Sequence, residues 1–192
     1  MTLKIEVAEL GLQAIDALDV DALCVFVGPE RPLQGLAGFV DWRMCGAVSR
    51  VIRGGLFEAA PEEALLVPSG GRIRPARVFC FGLPAVPLAP DAFLGAARRA
   101  CTAMARAGSD AFASSLPPFA GEPGLAARLW LEASTLRPVR RQVLLGEPRA
   151  LQRDLTAARN AMGLDVEVVA PPSRVEMPSR GRALPHVGGV VR

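Results

Sequence analysis

Short apolar runs alternate along the chain with longer segments in which apolar residues recur every three or four positions, the pattern of strands interleaved with amphipathic helices. Leu3 to Ala8 alternates apolar and polar residues, as a strand with one open face does, whereas Ala22 to Val27 is apolar throughout, as a strand covered on both faces would be. Ala64 to Val67 and Arg77 to Phe81 read as another pair of strands, with a glycine-containing turn at Pro68-Ser69-Gly70-Gly71-Arg72. Asp110 to Ser114, Gln142 to Leu145 and Val166 to Val169 complete the strand candidates.

Between the strands lie helical patterns. Asp41 is placed to cap a helix from Trp42 to Arg53 that Gly54-Gly55 ends. Asp91 opens a second helix whose stripe of Phe93, Leu94, Ala97, Cys101 and Met104 faces away from Arg98, Arg99 and Arg106, and Gly108 stops it. Leu125 to Leu136, containing Trp130, is apolar on more than one side and so packs beneath another element or across a subunit boundary. The fourth helix begins at Pro148, places Leu151, Leu155, Ala158 and Met162 on one face and ends at Gly163. From Phe93 onward helix and strand alternate, which calls for right-handed crossovers. The expected class is α/β: a mostly parallel twisted sheet of about six or seven strands with helices on both faces.

The 192 residues, 51% hydrophobic and 21% charged, suit one compact unit, expected over residues 1–170. Residues 171–192 carry four prolines before Val187 and no periodic apolar face, which reads as a Pro/Gly/Arg-rich flexible tail. The net charge of +3 is unevenly placed, because residues 1–170 balance 18 basic against 18 acidic side chains. The tail adds Arg174, Arg180, Arg182 and Arg192 against Glu176. A folded part that is neutral offers no broad basic face for duplex phosphates, so nucleic acid is not an expected partner.

The reagents of common chemistries are scarce. There is one lysine, Lys4, and one histidine, His186, so neither a P-loop nor a Ser-His-Asp triad can be assembled within residues 1–170. Cys24, Cys45, Cys80 and Cys101 are spaced by 21, 35 and 21 residues without a CxxC pair, and read as packed core thiols rather than metal ligands. No metal site, cofactor or catalytic residue is expected. The acidic N-terminal stretch reads as neither signal peptide nor membrane span, and reduced thiols fit a cytoplasmic protein.

Open parallel sheets bind ligands beyond the C-terminal ends of their strands, which makes the glycine-bearing loops there the candidate ligand cleft: Gly35, Gly38, Asp41, Gly46 and Gly82. At Phe81-Gly82-Leu83-Pro84 the prolines 84, 87 and 90 lack N–H groups and Asp91 adds negative charge, so an anion is disfavoured there. Asp41 could accept a ribose hydroxyl or simply cap its helix. Gly46 inside a helix costs about 1 kcal/mol relative to alanine, which implies a close neighbour to its backbone. Ser69 in the Pro68–Gly71 turn does not satisfy GxSxG. Trp42, Arg43, Trp130, Arg137, Arg140 and Arg141 are the candidate interface residues, because Trp and Arg are enriched at binding hot spots. Arg174, Arg180 and Arg182 are candidate tail contacts.

The segment Asp21-Ala-Leu-Cys-Val-Phe-Val27, the helix around Gly46-Ala-Val-Ser49-Arg50, the run Arg77-Val-Phe-Cys-Phe-Gly82-Leu83 and the helix around Ala96-Ala97-Arg98-Arg99-Ala100 resemble the N-terminal domain of M17 leucyl aminopeptidases over about residues 3 to 169. The resemblance implies a macro-domain-like α/β fold and the non-catalytic half of that family. The family's two-metal peptidase centre belongs to a C-terminal domain with an Asn-Thr-Asp-Ala-Glu-Gly-Arg motif that this sequence lacks, so no catalytic residue carries over and peptidase activity is not expected. The expectation that follows is a non-catalytic assembly module, self-associating or binding a protein partner such as a full-length M17 peptidase. The alternative is a small-molecule sensor holding a nucleotide or ADP-ribose-like ligand in a macro-like cleft.

Overall fold

The computed structural model describes residues 2–136 and 139–169. In chain order its elements are β1 (Leu3–Glu9), α1 (Leu12–Ala17), β2 (Ala22–Val27), α2 (Gly35–Arg43), α3 (Ala47–Arg53), β3 (Ala64–Pro68), β4 (Arg77–Gly82), α4 (Pro90–Arg106), β5 (Ala111–Ser114), α5 (Pro123–Leu136), β6 (Arg141–Gly146), α6 (Pro148–Met162) and β7 (Val166–Val169). One seven-stranded sheet runs β3-β4-β2-β5-β6-β1-β7. All pairings are parallel except β3 with β4, an antiparallel hairpin at one edge.

Side-chain alternation along the central strands divides the interior into two layers. On β2, Cys24 and Phe26 join Leu3, Ile5 and Val7 of β1 in a core closed by α4, α5 and α6. Leu23, Val25 and Val27 point the other way, into a core closed by α1, α2 and α3. Each such fully buried Leu, Val or Phe contributes about 1.5–3 kcal/mol of transfer free energy, so the unbroken apolar run of β2 is what two-sided burial requires.

The segment around Asp41 departs from the expected single helix. A turn at Met44-Cys45-Gly46 separates α2 from α3, with Gly46 at φ 77° as the residue before α3. The left-handed backbone, not a close neighbour, is what calls for glycine there, because an added Cβ would meet only Arg50 Nη1 at 3.6 Å. Asp41 lies inside α2 rather than ahead of a helix, and its carboxylate instead holds the first turn of α3: Ser49 N donates to its Oδ1 at 3.0 Å and Ser49 Oγ to its Oδ2 at 2.5 Å. The six-residue α1 carried no clear helical signal in the sequence.

Candidate functional site

A cavity of about 490 Å³ opens beyond the C-terminal ends of the parallel strands. Its floor is Phe26 and Val27 at the end of β2 and Leu145 and Gly146 at the end of β6. The loop leaving β5, residues 115–121, forms one wall with Leu116, Pro117, Pro118 and Phe119. The turn after β2 (Gly28, Glu30, Leu33) and the first residues of α2 form another, and Ala150, Leu151 and Asp154 of α6 a third.

Packing and hydrogen bonds hold these walls in place before any ligand arrives. Phe26 lies 6.1 Å from the Phe81 ring and meets Trp130 edge-on at 6.5 Å. Behind it, Trp130 Nε1 donates to Gln142 Oε1 at 3.0 Å and Ser134 Oγ to the same oxygen at 3.2 Å, a wholly buried polar cluster. The loop after β5 is pinned by Leu88 N to Pro118 O (2.9 Å), Ala120 N to Leu88 O (3.0 Å) and the edge-on Phe93–Phe119 contact at 5.1 Å. The Glu147 carboxylate takes hydrogen bonds from Arg149 N at 3.2 Å and Ala150 N at 2.6 Å, capping α6. At α2 the capping residue Gln34 makes no side-chain bond to the helix, and the first residues of that helix, Gly35, Leu36 and Ala37, line the cavity.

Of the five glycine and aspartate positions proposed from sequence, the cavity includes Gly35. Gly38, Asp41 and Gly46 border a second, more open depression of about 680 Å³ with Trp42 and Arg43. Gly38 is needed where the Leu33 carbonyl would lie 2.4 Å from a Cβ, and Gly82 where Ala60 O would lie 2.0 Å from one. Gly82 is therefore a packing residue under the segment before β3 and does not line the cleft.

The arginine and tryptophan candidates also separate. Trp130 is completely buried, which removes it from any surface of the protomer. Arg141 is engaged within the fold: Nε and Nη2 grip Glu6 at 3.1 and 2.7 Å while Nη1 donates to Asp19 O. That ion pair, together with Lys4, holds the Glu6 carboxyl below its usual range, and Glu6 raises Arg141. Trp42 is 64% exposed, with the Arg43 guanidinium 5.0 Å over its ring and Arg43 itself paired with Asp16. Arg140 is exposed. Arg137, Arg174, Arg180 and Arg182, with the rest of the 171–192 tail, lie outside the described residues.

Cys45, expected in the core, is instead exposed in the turn between α2 and α3, while the three interior thiols are chemically quiet. Burial pushes Cys80 up to about 12 and Cys101 up to about 11, and raises Cys24 further still, so all three stay protonated at neutral pH. Among the described residues no three His, Cys, Asp or Glu side chains are grouped to hold a metal ion. No described helix is long and apolar enough to cross a membrane.

Phe26, Leu116, Leu145 and Ala150 escaped the sequence reading because their signal is positional. Each is an ordinary apolar residue until the strand order β2-β5-β6 is known, and only then do the ends of those strands converge.

No protein-family model matches the chain, and no curated protein matches it in sequence. Solved structures do. A variant of tomato leucine aminopeptidase aligns over 84% of this chain with TM-score 0.58 and 12% identity, and the chain spans 36% of that protein. The macrodomain of Mycobacterium tuberculosis DarG matches 74% of this chain and 97% of its own length, at TM-score 0.59 and 14% identity. An Oceanobacillus iheyensis macrodomain variant with ADPR matches 82% of this chain and 91% of its own, at TM-score 0.63 and 12% identity. At such identities the likeness carries the fold: a seven-stranded, mostly parallel α/β sheet of the macro-domain kind, shared by macrodomains and by the aminopeptidase region.

Proposed function

We propose that this protein binds a small organic molecule in the cleft beyond β2, β5 and β6, and works as a ligand-binding module rather than an enzyme. The observation that carries the reading is the cavity itself. Its volume of about 490 Å³ falls within the range of small-molecule sites, and its walls are already fixed by the Phe26–Trp130–Gln142 packing and the pinned loop at residues 115–121. Its place on the fold adds support, because the ends of parallel strands are where such sheets receive ligands. A macrodomain of the same fold is known with ADPR, so nucleosides and ADP-ribose belong among the ligands tested here. The non-catalytic part of the reading rests on the lack of histidine in residues 2–169 and on the protonated interior thiols.

Thermal unfolding with nucleosides, ADP-ribose and small aromatic amines and acids at millimolar concentration tests the reading. Ligand at one hundred times its Kd stabilises by about 2.7 kcal/mol, enough for a clear rise in Tm. Ala150→Trp places an indole in the cleft, and the variant should unfold at a temperature close to that of the unaltered protein while losing the ligand-induced rise. A rise of equal size in both proteins would place binding elsewhere.

The second reading, an assembly or partner-binding module, is favoured by exposed apolar side chains. Trp42, Leu56 and Leu66 are exposed to 64%, 78% and 50%, and Arg43 stacks on Trp42 as at many binding hot spots. Light scattering tests it: a dimer that Trp42→Ala dissociates supports this reading, and a monomer at all concentrations counts against self-association.

A further inference from the structure

The charge and donor pattern of the cleft leads to a statement about its ligand, resting on the cleft reading above. We infer that the cleft takes an apolar organic cation, an ammonium or guanidinium head on a ring-sized hydrophobic body, and rejects phosphate-bearing nucleotides. Among the described residues that line the cavity there is no lysine or arginine, and the charged side chains are Glu30, Glu147 and Asp154. Arg31 does not line it: its guanidinium donates to Gly28 O and Glu30 O at 2.8 and 2.7 Å. Arg153 pairs with Asp154 at 2.9 Å and likewise stands outside.

Two of the places where a diphosphate would look for backbone donors are closed. Pro117, Pro118 and Pro123 supply no N–H along the loop and the start of α5. The N-terminus of α6 already holds the Glu147 carboxylate on Arg149 N and Ala150 N. The uncapped first turn of α2 remains, and it can serve a carbonyl or hydroxyl oxygen. A full negative charge there would share the cavity with the Glu30 carboxylate, which lies free of hydrogen-bond or ion-pair partners among the described residues. Glu30 folds back over the end of β2, its Oε2 2.4 Å from where a Cβ on Gly28 would stand. Among the described residues the one unpartnered charge in the cleft is thus negative, and it shares the cavity with Phe26, Val27 and Leu145, which an apolar ring can cover.

Matched pairs that differ only in the sign of the head separate charge from shape. Isothermal titration with tryptamine and indole-3-acetate, with phenethylamine and phenylacetate, and with ADP-ribose, tests the inference. The expected result is saturable binding of the amines, loss of it in Ala150→Trp, and weaker or absent binding of the acids and ADP-ribose. Glu30→Gln should weaken the amines about fivefold by removing a charge-assisted contact, with Tm unchanged because the side chain is exposed. Acids or ADP-ribose binding as tightly as the amines, and lost in Ala150→Trp, would overturn the charge inference and leave the cleft reading standing. No heat from any of the five at millimolar concentration would overturn both.

Discussion

Asp41 offers the sharpest separation of a structural role from a ligand role. Its carboxylate holds Ser49 twice, at the backbone N (3.0 Å) and at the hydroxyl (2.5 Å), at the start of α3. Truncating a capping residue costs about 0.5–2 kcal/mol. Because Asp41→Ala also frees the Ser49 hydroxyl, we place its loss at about 2 kcal/mol, the upper end of that range. Ser49→Ala removes one of the two bonds and should cost about 1 kcal/mol. For a chain of this size each kcal/mol lowers Tm by about 2–4 °C, so Asp41→Ala should unfold about 4–8 °C lower and Ser49→Ala about half as far. The double variant should fall short of the sum, since both changes break the same contact. Calorimetry reads the temperatures, and urea unfolding should show a lower midpoint with an unchanged slope. Ligand affinity in the cleft should stay as it was, because Asp41 borders the other depression. A variant with unchanged Tm and abolished ligand binding would refute this reasoning and return Asp41 to the ligand.

Three further outcomes follow from the same geometry. Trp130→Phe removes the indole donor to Gln142 and leaves that buried oxygen with Ser134 alone, so stability should fall by about 1–3 kcal/mol in urea unfolding, whereas Trp42→Ala, at an exposed site, should change it by less than about 0.5 kcal/mol. Gly82→Ala forces a Cβ to within 2.0 Å of Ala60 O and should destabilise measurably in the same assay without touching the cleft. Glu6 has a folded pKa below its unfolded one, so its contribution is complete above the ordinary carboxylate range and is lost as pH falls through the folded value; Glu6→Gln should flatten that part of an acid titration of stability.

The fold was largely legible because burial leaves a period in the sequence. The unbroken apolar run of β2 announced a central strand, and the one-sided stripes of α4 and α6 announced helices against the sheet. The break at Met44-Cys45-Gly46 was hidden, because Gly46 reads equally as a tolerated helical glycine and as a left-handed turn residue, and only the backbone shows φ 77°. Trp130 looked like an interface residue for a related reason: α5 is apolar on several sides, and sequence does not say whether its extra apolar face meets the core or a partner. The cleft was legible only in its general position. A cavity does open among the strand-end loops, yet Gly38, Asp41 and Gly82 lie outside it, in helix ends and close packing. The walls of that cavity come from residues as far apart in sequence as Phe26, Leu116 and Ala150.

Methyl-resolved NMR of leucine-labelled protein during a tryptamine titration tests the central claim most directly. If the cleft is the ligand site, Leu33, Leu116, Leu145 and Leu151 should shift together along one saturable curve, while Leu56 and Leu66 on the outer surface stay still. Saturable shifts confined to Leu56 and Leu66, with the cleft methyls unmoved, would contradict it.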